Sequence, residues 1–456
     1  MAGHAPRRRI QAPPVPADAL KTPIERFMAF GAAGGLTLLF VTIVAVVWAN
    51  SPWGHHYHHV FEGIKLSVTL GGFGWTAHTV HWINDLLMAV FFFYVGLEIK
   101  REVLVGELKS PRKAAVPLFA ALGGMVVPAG IYAAFNLGTD GSHGWGIPMA
   151  TDIAFALGIL ALMGSKVPNG LKVFLTTLAV ADDLGALIVI AVFYTDSPNL
   201  ANLGWAFLAL VVMAGMNRFG IRQPVWYLLA GAFVWWFIHH SGVHATIAGV
   251  LTAMTIPVRK RVDVEKYSAF VIQSAKDFDL AGPHEDGVIL STDQRAIVQG
   301  IEDACDRVQS PLQSLEHALH PWVAFLVVPV FALANAGVTL GDGVQEAALS
   351  RESIGIALGL VLGKPIGVML FSFIAVKAGV GALPQNTTWP MVHGAAWLAG
   401  IGFTMSLFIA NLAFVGDELA VQQLTSAKIG VLGGSTIAAI VGLMVLKLAL
   451  RSTKTA

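Results

Sequence analysis

A chain of 456 residues that is 55% hydrophobic and only 12% charged, with a mean hydropathy of +0.67, lies outside the range of soluble globular domains. Its formal net charge is +1 and its basic residues are not gathered on one face, so nothing points to a nucleic-acid partner. The single cysteine, Cys305, excludes an intramolecular disulfide framework and a cysteine-based metal cluster.

Residues 1–26 are basic and Pro-rich, which predicts a short disordered tail. The apolar stretch at 27–48 is longer than a signal-peptide core and lacks a clear small-residue cleavage site, so it reads as an uncleaved first span. Apolar runs near 20 residues predict twelve spans in all, at about 27–48, 82–100, 113–136, 146–164, 169–195, 200–217, 224–239, 242–257, 321–337, 353–377, 391–416 and 423–448. With the N-terminus placed inside, every Lys and Arg except Lys65, Arg351, Lys364 and Lys428 falls in a cytoplasmic segment or its flank. The positive-inside rule therefore predicts an all-α, multi-pass membrane protein with both termini cytoplasmic. The expected organisation is a tail (1–26), spans one to eight (27–257), a cytoplasmic insertion (258–320), spans nine to twelve (321–448) and a second cytoplasmic tail (449–456).

Two segments outside the spans have patterns of their own. Residues 64–80, IKLSVTLGGFGWTAHTV, alternate on both sides of Gly71-Gly72, which predicts a small extracytoplasmic β-hairpin. Two strands are marginal alone, so the hairpin is expected to pair with a second copy in a homodimer. The insertion carries amphipathic helical patterns around 264–277 and 293–319, flanking the turn-rich AGPHEDG at 281–287. The run His55, His56, His58, His59 reads as a solvated interfacial cluster rather than a metal site.

The chemistry lies in charges that interrupt apolar runs. Asp182 and Asp183 sit inside LKVFLTTLAVADDLGALIVIAVFYT, Asp152 follows Thr151 in GIPMATDIAFALGILALMG, and Lys364 interrupts SIGIALGLVLGKPIGVMLFSFIAVK. Each such charge costs about 2.5 to 3.5 kcal/mol at a helix centre on insertion scales, so function is the expected reason for keeping four. Adjacent helical residues point about 100° apart, so Asp182 and Asp183 take different roles. Carboxylates this close resist simultaneous ionisation, and their hard oxygens suit Na⁺, Li⁺ and H⁺ alike. A site that cannot hold the metal cation and the protons together becomes an exchanger once it alternates between two sides. Lys364 supplies a positive partner for one aspartate.

Helix breakers flank these residues. Pro148 precedes Thr151-Asp152, and AWLAGIGFTMSLF places Gly400 and Gly402 mid-span. Unwound backbone is tolerated at membrane depth only where it is buried in protein or lines a watery cavity. Asp152 would suit facing helix N-termini and Lys364 facing C-termini. The breaks fall in the middle members of spans 3–5 and 10–12, which suggests an inverted repeat.

The segments TDIAFALGILAL, LAVADDLGALIVIAVFYT, SGVHATIAGV, LHPWVAFLVVPVFALANAGV, LGKPIGV, GIGFTMSLFIANLAF and VFFFYVGLEIKREVLVGEL resemble the bacterial NhaA-type sodium/proton antiporters from about residue 25 to 450. The resemblance implies two broken, crossed helices and an ion-binding pair at Asp182 and Asp183. It also implies helix-dipole compensation by Asp152 and Lys364 with Thr151 beside them, and competition between Lys364 and sodium for the first aspartate. It further implies pH regulation at a cytoplasmic funnel by Glu98, Arg101, Glu102, Glu316, His317 and His320. The function implied is electrogenic Na⁺(Li⁺)/H⁺ exchange by alternating access, one sodium for two protons, in a bacterial inner membrane, for pH and sodium homeostasis. No enzymatic activity, cofactor or metal beyond transported Na⁺ is expected, and membrane lipid is the surrounding partner. The stretch between spans eight and nine is longer than the best-known pattern of that family. A cation channel would use the same acidic residues, but no carboxylate ring or carbonyl filter is visible. A proton-coupled carrier of organic anions would call for an arginine in mid-span, and none is there.

Overall fold

The computed structural model describes residues 32–70, 73–195, 198–258, 264–282, 289–341 and 343–452. It is mostly helical, with one two-stranded antiparallel sheet. Among the described residues, eight helices are long and apolar enough to cross a membrane: Thr79–Leu104, Pro111–Asn136, Asp140–Leu162, Asn169–Phe193, Leu200–Arg218, Pro311–Asn335, Arg351–Lys377 and Glu418–Arg451. Two bent pairs, Ala33–Ala49 with Gly54–Gly63 and Trp389–Ala399 with Phe403–Ala413, raise that number to ten. The runs expected as spans seven and eight form helices of only 16 and 10 residues, Pro224–His239 and Thr246–Thr255. At 1.5 Å per residue these fall short of a hydrocarbon core of roughly 30 Å, a shortfall that composition alone does not reveal.

These helices are apolar on their outer faces as well as inside. Phe40, Phe207, Leu229 and Leu448 are all 60% or more exposed, which places hydrocarbon rather than water around them. Inside, small residues let backbones approach. Pro111–Asn136 crosses Lys364–Lys377 at Gly123 and Gly367, where a Cβ on either glycine would run into the other's carbonyl oxygen.

Among the described residues three of the long spans widen into π-turns, at Ile83–Leu87, Val323–Val327 and Gly359–Gly363, and for the last two the cause is legible. Pro329 and Pro365 follow and have no N–H to donate. The amides just before them, Val328 and Lys364, reach back five residues, to the Val323 and Gly359 carbonyls.

The two expected helix breaks are present and touch. The first run has a 3₁₀ arm, Asp140–Met149, then the non-helical Ala150–Asp152, then Ile153–Leu162. The second has Trp389–Ala399, a break at Gly400–Gly402, then Phe403–Ala413, bent by 42°. The Asp152 amide donates to the Ile401 carbonyl at 2.6 Å, and Ser406 Oγ donates to the Ile147 carbonyl at 2.7 Å.

The expected hairpin is also present. Strands β1 (Lys65–Leu70) and β2 (Phe73–His78) pair from Lys65↔His78 to Leu70↔Phe73, and the turn residues Gly71 and Gly72 lie outside the described residues. Its base is fixed to the helices. Trp82 Nε1 donates to the Leu66 carbonyl at 3.1 Å, and Trp75 packs between Trp82, Trp235 and His239.

In the long segment before the ninth run, Val264–Leu280 and Thr292–Val308 form two helices packed on each other. The second pattern, expected to continue to 319, stops early. Ser310 caps a new helix by accepting from the Gln313 amide at 3.2 Å, with Pro311 at its first position. The N-terminal tail (1–26) and most of the 281–287 turn lie outside the described residues, and the last helix runs through Glu418–Ser452.

Candidate ion site

The four charges that interrupt apolar runs converge. Asp182 and Asp183 lie midway along Asn169–Phe193, and both are buried, as are Asp152 and Lys364. The π-turn ends at Lys364, beside Gly124, and the lysine Nζ meets Asp182 Oδ2 in a fully buried ion pair. The ammonium contact found is thus to the doublet. The carbonyl end of Trp389–Ala399 is met by Thr151, whose Oγ1 lies 2.7 Å from the Ala399 carbonyl and 2.5 Å from Asp182 Oδ2. A hydroxyl has one hydrogen and a carbonyl can only accept. With Asp182 ionised Thr151 can donate to it; with a proton on Asp182 Thr151 can accept there and donate to Ala399.

Asp152 serves two helix N-termini at once. Its Oδ1 accepts from the Phe155 amide at 2.9 Å, capping Ile153–Leu162. Its Oδ2 accepts from the Thr404 amide at 3.1 Å and Thr404 Oγ1 at 2.5 Å, at the start of Phe403–Ala413. Ser435 Oγ takes the neighbouring Phe403 amide at 3.1 Å. A carboxylate is the suitable group there, because the partial positive charges of both termini face it.

Asp183 has the opposite condition. Both its carboxyl oxygens, and Oδ1 of Asp182, are buried without a hydrogen-bond partner among the described residues. Three oxygens of a carboxylate doublet thus remain for a ligand, in surroundings where an unpartnered polar atom is costly.

The residues expected at the inner funnel form two connected groups. Tyr94 OH donates to Glu98 at 2.9 Å and packs edge-on to His320. Arg101 lies 3.0 Å from Glu102 and 3.0 Å from Glu316. A cavity of about 350 Å³ lined by Tyr94, Glu98 and His320 reaches Asp152 and Thr404. His317 stands apart, exposed on its helix. Thr404, Ser435 and Tyr94 were not singled out from the sequence, although Thr404 sits two residues beyond the Gly400–Gly402 break that was.

Comparison with known proteins settles the affiliation. The family model described as Na+/H+ antiporter 1 matches residues 25–446. The chain belongs to that family. It is 47% identical over 440 residues to the Na(+)/H(+) antiporter NhaA of Oleidesulfovibrio alaskensis, covering 96% of this chain and 97% of that one. It is 44% identical over 436 residues to the NhaA of Sulfurimonas denitrificans (95% and 97%) and 46% identical over 432 to that of Koribacter versatilis (95% and 92%). With its apolar helices, membership in this antiporter family makes it a multi-pass membrane protein.

Removing the shared cap should be costly. Asp152→Ala exposes two N-termini, each cap being worth about 0.5–2 kcal/mol. The expected outcome is a drop of several degrees in the unfolding temperature in detergent, read by intrinsic fluorescence. Asp152→Asn, which keeps one acceptor oxygen, should recover part of it; equal stability of all three proteins would count against the double cap.

Proposed function

We propose that this protein exchanges Na⁺ (or Li⁺) for H⁺ across a bacterial inner membrane by alternating access, exporting sodium in the service of pH and sodium homeostasis. The observation that carries the reading is the buried doublet, with three unpartnered carboxyl oxygens beside the Asp182–Lys364 ion pair. In this reading the chain spans the membrane twelve times as an inverted repeat, the short helices Pro224–His239 and Thr246–Thr255 crossing together with the non-helical residues that flank them, with both termini cytoplasmic and two crossed, broken helices. Asp152 compensates the facing N-termini, and Lys364, with Thr151 beside it, serves the C-terminal side and the coupling. The names of the relatives, all Na(+)/H(+) antiporters, support the choice of ions.

Charge counting explains the competition. Two carboxylates and one ammonium leave a net charge of −1 in a buried site, which either a proton or a sodium ion cancels. Asp183 is the main cation ligand, and Asp182 is the proton-coupled partner that sodium shares with Lys364. The proton that sodium replaces one for one is that on Asp183. Two per sodium follow if a second leaves the Asp182–Lys364 pair as sodium enters, so that the sodium-loaded site carries −1 and the doubly protonated site is neutral. That ratio moves one net charge inward, and each 100 mV contributes about 2.3 kcal/mol to sodium export. Glu98, Arg101, Glu102, Glu316, His317 and His320 would regulate entry at the cytoplasmic end of the path as pH changes.

Sodium-driven dequenching of a ΔpH in everted vesicles tests the assignment. Asp182→Asn and Asp183→Asn should each abolish sodium-dependent exchange while the protein still inserts; normal exchange in either would overturn its role. The hairpin proposal, a homodimer joined through β1 and β2, rests on strand edges a second copy can pair with. Replacing residues 64–80 by a Gly-Ser linker should give monomers in detergent that still exchange ions, whereas a dimer would place the interface elsewhere.

A further inference from the structure

Three asparagines from three separate apolar helices meet away from the charges. Asn335, the last residue of Pro311–Asn335, is fully buried and has every hydrogen-bonding position of its amide engaged. Its Nδ2 donates to the Phe331 carbonyl at 2.9 Å and to Asn84 Oδ1 at 2.8 Å. Its Oδ1 accepts from Asn84 Nδ2 at 3.3 Å and from Asn411 Nδ2 at 3.0 Å. The Phe331 carbonyl can only accept, which fixes the way the amide faces, so Oδ1 is presented to Asn411.

Asn411 belongs to Phe403–Ala413, the helix whose first turn is tied to Asp152 through Thr404. It lies seven residues beyond Thr404, about 10 Å along the axis. The funnel residues lie the other way. Glu98 is fourteen residues from Asn84 on Thr79–Leu104, and His320 is fifteen from Asn335 on Pro311–Asn335, each about 20 Å. Asp152 and Thr404 therefore have the Glu98–His320 cavity on one side and the asparagine cluster on the other.

We infer that Asn411, held by Asn335 and Asn84, is a positioning residue that latches the side of the ion site opposite the Glu98–His320 cavity. The inference rests on the exchange reading above. An exchanger open to the funnel must be closed on its far side, and that closure must be reversible. An amide–amide hydrogen bond between a site-bearing broken helix and two packed neighbours suits this, because it is directional yet weak. Such bonds between membrane helices are worth enough to move a two-state equilibrium about threefold, and up to about twentyfold.

The test measures the KM for sodium from each face, in everted and in right-side-out vesicles. Releasing the latch depopulates the funnel-open state, so Asn411→Ala should raise the KM at the funnel face and lower it at the other. The ratio of the two should change about threefold, with Asn84→Ala shifting it the same way by freeing the Asn335 amide. Asn411→Gln, which keeps an amide donor, should restore a ratio close to that of the unmutated protein. Loss of packing alone would lower the rate on both faces and leave the ratio in place. An unchanged ratio in Asn411→Ala, or in Asn84→Ala should the first variant fail to insert, overturns the latch. Absence of exchange by the unmutated protein would instead overturn the reading on which it rests.

Discussion

An ammonium and a carboxylate buried together at membrane depth set the terms for everything around them. Neither Lys364 nor Asp182 is tolerable alone there, and breaking such a pair from one side leaves an uncompensated charge worth several kcal/mol. The surrounding helices serve that pair. A π-turn required by Pro365 ends at Lys364, and Gly124 leaves room beside it. The site is thus held by backbone geometry that proline and glycine dictate, and the charges are what that geometry exists to place.

The broken helices answer a second electrostatic demand. Interrupting a helix exposes N–H groups that bilayer hydrocarbon cannot satisfy, so the two breaks lie against each other and share one carboxylate. Thr151 then joins the two halves of the problem, because its single hydroxyl reaches both a broken helix's carbonyl end and the doublet. A change of charge on Asp182 can in this way be felt by the helix that carries Ala399.

What the sequence revealed and what it hid have physical reasons. Asp182, Asp183, Asp152 and Lys364 stand out because a charge in an apolar run is costly and rare. Thr404 and Ser435 do not, since a hydroxyl in a span usually bonds its own preceding turn, as Thr42 does to the Leu38 carbonyl and Thr436 to Leu432. The alternation of 64–80 marked the hairpin because a period of two leaves no helical alternative. Periodicity could not reveal the stop at Ser310-Pro311, where capping chemistry overrides a continuous amphipathic pattern. The short Thr246–Thr255 helix was hidden for another reason, because the run around it is apolar well beyond the helical part.

The central claim is that sodium and protons compete for one buried doublet, and proton release on sodium binding tests it most directly. Purified protein in weakly buffered detergent, given sodium in the presence of a pH-indicator dye, should release protons at a ratio above one per sodium bound. The same addition to Asp183→Asn should release none. Sodium that binds the unmutated protein without releasing protons would contradict the account.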